Sequence, residues 1–189
     1  MQNKELKYFQ SFRDVCKVIN SSLNLKVVLM LITENIVKLL NVKACTIFLL
    51  DKNLNKLNVS ASHGLSEAYL RKGPLDADKS IAETLGGQIV LILDMSNNTR
   101  VQYPEEAKRE GIVSVLSVPI SVKGQIIGVL RIYTSEQRNF SDDEYELISG
   151  LADMGGIAID NARMHDRLKA EHEKLIDETH RWFEYGSGF

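Results

Sequence analysis

Apolar residues recur at spacings of three and four from the start of the chain. Phe9, Phe12, Cys16, Ile19 and Leu23 form a heptad-like seam, and the spacing predicts a first helix from Leu6 to Leu23. Ser21, Ser22 and Asn24 then interrupt the seam with residues suited to capping a new helix. Leu25, Val28, Leu29, Ile32, Ile36, Leu39 and Leu40 continue as a stripe of period near 3.6, which predicts a second helix lying on a core. The period then changes. Ala44 to Leu50 is a short apolar run rich in strand formers, and Lys56 to Ser62 alternates. Asp51, Lys52, Asn53, Leu54 and Asn55 between them are turn residues, so the pair reads as a hairpin closed by His63-Gly64-Leu65.

Residues 66–88 hold two short helical signals, the better one opening at Ser80 with Glu83 three positions on and stopping at Gly86-Gly87. Ile89 to Leu93 reads as a strand ending at Asp94, and Ser96-Asn97-Asn98-Thr99-Arg100 as a loop. Pro104, Glu105 and Glu106 open a further short helix that Gly111 ends. Val113 to Val122 and Gln125 to Thr134 are the longest strand candidates, joined tightly at Lys123-Gly124 as an antiparallel hairpin. Pro119 inside the first of them predicts an edge position or a bulge. Ser141 and Glu144 then open a long helix. Its spaced positions are Leu147, Leu151, Met154, Ala158, Asn161, His165, Leu168, His172 and Leu175. Beyond Arg163 it is highly charged, with Lys169–Glu173 and Lys174–Glu178 placed to pair, and the final GSGF reads as a tail. Antiparallel hairpins between terminal helices make an α+β fold.

Composition narrows the classes. A chain of 189 residues favours one domain with helical extensions, and a net charge of −2 gives no electrostatic reason to expect nucleic acid. The opening MQNKELKYFQ lacks the apolar core of a signal peptide, and no stretch is apolar enough to cross a membrane, so a cytoplasmic location is expected. Cys16 and Cys45 have no CxxC spacing. His165 and His172 stand two helical turns apart, too far to share one ion, so neither metal nor haem is expected. Nucleophile triads, phosphate loops and GxGxxG are all missing from the string, and an enzyme is not expected.

The order of these signals resembles the GAF domain family from about Leu23 to Met164. The carrying blocks are the helix from Leu25 to Leu40 with ACTIFLLD, then SASHGLSE, Asp94 after IVLIL, and GIVSVLSVPISVKGQIIGVLRIY. Phe140 to Glu144 and AIDNAR at 158–163 complete the pattern. The resemblance implies a six-stranded antiparallel sheet with terminal helices on one face and short helices roofing a ligand pocket on the other. It divides the chain into an N-terminal helical extension (1–23), the family domain (24–164) and a charged helix with its tail (165–189). It also narrows the ligand. The cyclic-nucleotide relatives' Asn-Lys positions read as Tyr133-Thr134, residues 66–112 hold no cysteine for a covalent bilin, and Cys45 alone cannot supply sulfoxide reduction.

Strand alternation selects the pocket candidates. If Cys45, Ile47 and Leu49 face the helices, then Thr46, Phe48, Ser117, Arg131 and Tyr133 face the roof. Ile81 and Leu85 would come from the roof itself, with Asp94 and Arg100 flanking the loop before Pro104. A charge in a central strand needs either solvent or an anionic partner, so Arg131 points to a ligand anion or to pairing with Asp94 or a nearby glutamate. Phe9, Phe12, Cys16 and Ile19, with Leu147, Leu151, Met154, Asn161 and Leu168, are the candidates for a homodimer interface. The expected function is sensing of a small molecule, relayed to an output kinase, cyclase or transcription regulator in another chain. The alternative is a ligand-free dimerisation scaffold.

Overall fold

Six helices and six strands run through the computed structural model, which describes residues 2–21, 24–51, 53–78, 81–96 and 98–185. They are α1 (Gln2–Ser21), α2 (Leu25–Leu40), β1 (Ala44–Asp51), β2 (Lys56–His63), α3 (Glu67–Leu70) and β3 (Leu75–Asp76). There follow α4 (Ala82–Leu85), β4 (Val90–Ile92), α5 (Pro104–Arg109), β5 (Ser114–Val122), β6 (Gln125–Thr134) and α6 (Asp142–Tyr185). Ser22, Leu23, Lys52, Ser80, Asn97 and the closing GSGF, all given places above, lie outside the described residues.

The strands form one antiparallel sheet in the order β3-β2-β1-β6-β5-β4, the six-stranded arrangement that the resemblance implied. The β5–β6 hairpin turns at Lys123 and Gly124, both at positive φ (51° and 76°), as a tight two-residue connection requires. Pro119 is tolerated because β4 pairs only with Val115, Leu116 and Ser117, which leaves Pro119 past its end. A register shift follows at Ile120/Ser121. The two-residue β3 has no counterpart among the strands read from sequence.

Local chemistry fixes the helix starts. The Asn24 side chain accepts from Val27 N at 3.3 Å. At α6, Ser141 N donates to Glu144 Oε2 at 3.0 Å while Glu144 N donates back to Ser141 Oγ at 3.4 Å, closing the expected box. Arg138 clamps the same corner, with Nη1 donating to Leu40 O at 2.6 Å and Nη2 to Glu144 Oε1 at 2.9 Å.

Helices α1, α2 and α6 cover one face of the sheet. Ile32, Ile36, Leu151 and Ile159 pack there against Cys45, Ile47, Leu130 and Ile132, all fully buried. Helix α6 comes so close to β5 that a Cβ on Gly156 would stand 2.5 Å from the Ser121 carbonyl oxygen. Helix α1 uses a face other than the expected seam. Tyr8, Ser11, Val15 and Ile19 are buried, whereas Phe9 is 64% exposed and Phe12 and Cys16 are half-buried. Ser11 Oγ on the docked face donates to Asn35 Oδ1 at 2.9 Å, and Phe12 at the margin of the seam lays its ring against Gly150 of α6. Beyond Asn161, the second half of α6 leaves the body, and residues 163–178 are all exposed. Lys169–Glu173 and Lys174–Glu178 pair along it at 4.0 and 3.8 Å.

Candidate functional site

Register brings four polar residues into line across the face opposite the helices. Ser62 pairs with Thr46, Thr46 with Arg131, and Arg131 with Ser117, from β2 through β1 and β6 to β5. Thr46, Arg131 and Ser117 are each at most 2% exposed, and the Thr46 and Ser62 hydroxyls lie 2.9 Å apart. Strand alternation places apolar rows on either side. On one side Ala44, Tyr133 and Val115 join Tyr69, Ile92 and Ile112 in a buried cluster. On the other, Phe48 and Val129 join Leu57, Leu75 and Ile81 in a second. The polar row separates the two.

Arg131 is the chemical centre of that row. Its guanidinium carbon stands 5.8 Å from the Tyr133 ring centroid. Among the described residues no group accepts a hydrogen bond from its Nε or Nη2, although both atoms are buried. Among the described residues no carboxylate forms an ion pair with it. The roof holds another buried polar atom without a protein partner, Thr84 Oγ1, on α4, which packs on β5 and β6.

Two residues absent from the sequence expectations stand near this centre. The Tyr69 ring meets the Tyr133 ring edge-on at 6.1 Å. Lys72 Nζ lies 3.8 Å from the Tyr69 centroid and donates to the Tyr69 carbonyl at 3.3 Å. Burial, helped by repulsion from Arg131, lowers Lys72 to about 8, against a pull upward from Glu106 and Glu110. Burial likewise pushes the Tyr69 and Tyr133 phenols well above their ordinary range, with Arg131 opposing in both cases.

The expected pocket residues therefore divide. Thr46, Ser117, Arg131 and Tyr133 come together, while Phe48, Ile81 and Leu85 belong to the apolar cluster beside them. Asp94 and Arg100 do not reach Arg131. Asp94 Oδ1 accepts from Ser96 N at 2.9 Å and Ser96 Oγ at 2.6 Å, a local turn that sequence proximity to the roof could not reveal. It borders a separate cavity of about 360 Å³ with Pro104, Lys108 and Gln137. Arg100 Nη1 pairs with Glu83 Oε1 at 2.8 Å across a cleft of about 540 Å³ that Asp78, Ala82 and Gln102 also line.

The interface candidates divide too. Ile19, Leu147 and Leu151 are buried in the chain's own core, so their apolar surface is already covered. Phe9, Asn161 and Leu168 are exposed, and Met154 is half-buried. The outward apolar stripe on α6 runs Met154, Ile157, Asn161, Met164, Leu168 and Leu175, because Ala158 turns inward where Ile157 faces out.

Comparison with known proteins gives the following. Residues 24–159 match the family model of the GAF domain. The methyl sulfide methyltransferase-associated sensor of Methanosarcina acetivorans is 27% identical over 69% of this chain and 14% of its own length. The formate hydrogenlyase transcriptional activator of Salmonella typhimurium is 24% identical over 74% of this chain and 21% of its own. The chain thus spans about a seventh and a fifth of these two curated relatives. Among solved structures, the GAF domain from a phosphoenolpyruvate-protein phosphotransferase of Coxiella burnetii superposes with a TM-score of 0.76 at 21% identity, covering 86% of this chain and 98% of that one. That likeness establishes the fold.

Proposed function

Because the chain belongs to the GAF domain family, we propose that it is a sensory module that binds a small molecule on the roofed face of its sheet and relays occupancy through its terminal helices. The observation that carries this reading is the buried polar row centred on Arg131, which a purely structural sheet face has no need of. Relay requires the ligand to bind two packings of the helices with different affinity, typically by about 1–3 kcal/mol. Helix α6 suits that task, since Leu151 and Ile159 lie in the core while Ile157, Met164 and Leu168 on the same helix face outward. The outward stripe supports a homodimer joined along α6, with Asn161 as the polar position that sets register. The reading places the protein in the cytoplasm and gives it a kinase, cyclase or transcription regulator as output. A sensor and a transcriptional activator among its relatives support the signalling role. It includes no catalytic step: burial pushes the Cys45 thiol far above its ordinary range, away from the reactive thiolate.

A ligand-free dimerisation scaffold is the second reading, favoured by Phe48, Leu57, Ile81 and Val129, which fill one side of the roofed face. Native mass spectrometry of freshly purified protein separates the two. A dimer with a retained small molecule supports the sensor; a dimer of bare mass that no metabolite extract alters supports the scaffold. A monomer would remove the stripe on α6 as an interface.

A further inference from the structure

The nitrogens of Arg131 that the protein leaves without acceptors are informative by their position. Nε and Nη2 share one side edge of the guanidinium, where their N–H bonds run parallel. That edge matches two oxygens of one carboxylate or phosphoryl group and fits no single neutral acceptor as well. We propose that the small molecule received on the roofed face presents an oxyanion to this edge of Arg131, with Lys72 as the second cation of the site. The inference rests on the sensor reading above and names the class of its ligand.

Three observations support it. Arg131 is 2% exposed on a central strand, and a guanidinium cannot escape burial by losing its proton as a lysine or carboxyl can. Lys72, whose Nζ lies 3.8 Å from the ring centroid of the Tyr69 that meets Tyr133 edge-on, feels Arg131 as repulsion and Glu106 and Glu110 as attraction, so an added anion would favour both cations. Thr84 Oγ1 on α4 adds a buried hydroxyl without a protein partner, able to donate to the same anion or to the rest of the molecule. The Tyr133 ring contacts the guanidinium at 5.8 Å and so accounts for a face of the group, leaving the edge unexplained.

The test uses the full chain and follows the Arg131 Nε–H resonance, assigned with Arg131→Lys, together with the backbone amide resonances of β6 and α3, which every variant retains, in titrations with formate, acetate and inorganic phosphate. Ionic strength is held constant with sodium chloride, and each probe is taken to about 50 mM, enough to reveal millimolar binding. A saturable downfield shift with at least one probe is expected, with affinity falling tenfold or more in Arg131→Met and severalfold in Lys72→Met. A response to formate or acetate alone identifies a carboxylate ligand, and to phosphate alone a phosphoryl ligand; both support the proposal. No saturable shift with any probe overturns it, as does binding that survives in Arg131→Met within twofold. If Arg131→Met does not fold, the wild-type titration decides. A neutral or cationic molecule retained in native mass spectrometry would overturn the oxyanion and leave the sensor reading standing.

Discussion

Gly155 and Gly156 are neighbours on α6 with opposite surroundings, and replacing each with alanine gives a controlled measurement of how tightly that helix sits on the sheet. A Cβ at position 155 would meet Ile32 Cδ1 at 3.6 Å and Leu29 Cδ2 at 3.9 Å, ordinary contact distances. At position 156 it would stand 2.5 Å from the Ser121 carbonyl oxygen and 3.4 Å from Val122 Cγ2. Both changes gain the same helix propensity, roughly 1 kcal/mol. Gly155→Ala should keep that gain. Gly156→Ala must open a contact to about 3.3 Å, so the helix retreats from β5 by about 0.8 Å. The obstacle is backbone in a paired strand, so the cost belongs at the upper end of the roughly 1–3 kcal/mol typical of overpacking. After the propensity gain, Gly156→Ala should be about 2 kcal/mol less stable than the parent and about 3 kcal/mol less stable than Gly155→Ala. For a chain of this length that is a gap of about 6–12 °C in melting temperature between the two variants. Thermal and urea unfolding, run side by side, read it directly. Equal shifts in the same direction for both variants would sink the steric argument.

Arg131→Met should stabilise the protein, desalted after refolding, by about 1–3 kcal/mol, because it removes a buried cation whose edge the protein leaves unpaired. A loss in urea unfolding would mean that the Tyr133 contact outweighs the burial cost. Arg138→Ala should destabilise by about 3 kcal/mol, since it removes the cation that faces Glu144, whose side chain is 8% exposed, and the donor to the Leu40 carbonyl; an unchanged urea midpoint would argue against the clamp. Lys72 gives a pH dependence. Its folded value near 8 lies below that of the unfolded chain, so between about pH 8 and 10 the unfolded state holds more protons and stability rises with pH. Above that range the raised Tyr69 and Tyr133 reverse the slope. Lys72→Met should flatten the rise, and a parent protein that weakens from pH 8 to 9 would refute the assignment.

What the sequence reveals depends on how strongly a pattern constrains geometry. The alternation in β1, β5 and β6 sorted Thr46, Ser117, Arg131 and Tyr133 onto one face, because a period of two admits no third option. On α1 two stripes share one spacing, and hydropathy alone does not say which docks on the core: Tyr8, Ser11 and Val15 lie inward while Phe9 stays exposed. Ser11 is polar in the string, yet its hydroxyl reaches Asn35 and the side chain is buried. Strand β3 is two residues long, too short for alternation to register. Tyr69 and Lys72 belong to a four-residue helix and the turn after it, where no periodicity points inward. Asp94 and Arg100 flank one loop in the sequence, but Asp94 is held by Ser96 two residues on and Arg100 by Glu83 across a separate cleft, away from the row of Arg131. Side-chain hydrogen bonding of that kind leaves no trace in hydropathy.

The unbroken length of α6 has a mechanical consequence. From Gly156 to its end at Tyr185 the helix runs 29 residues, 185 less 156, or about 44 Å at 1.5 Å per residue. A tilt of about 3° about its contact with β5 would swing the far tip by about 2 Å. A displacement too small to disturb the core is magnified along the rod into one that a packed partner would feel.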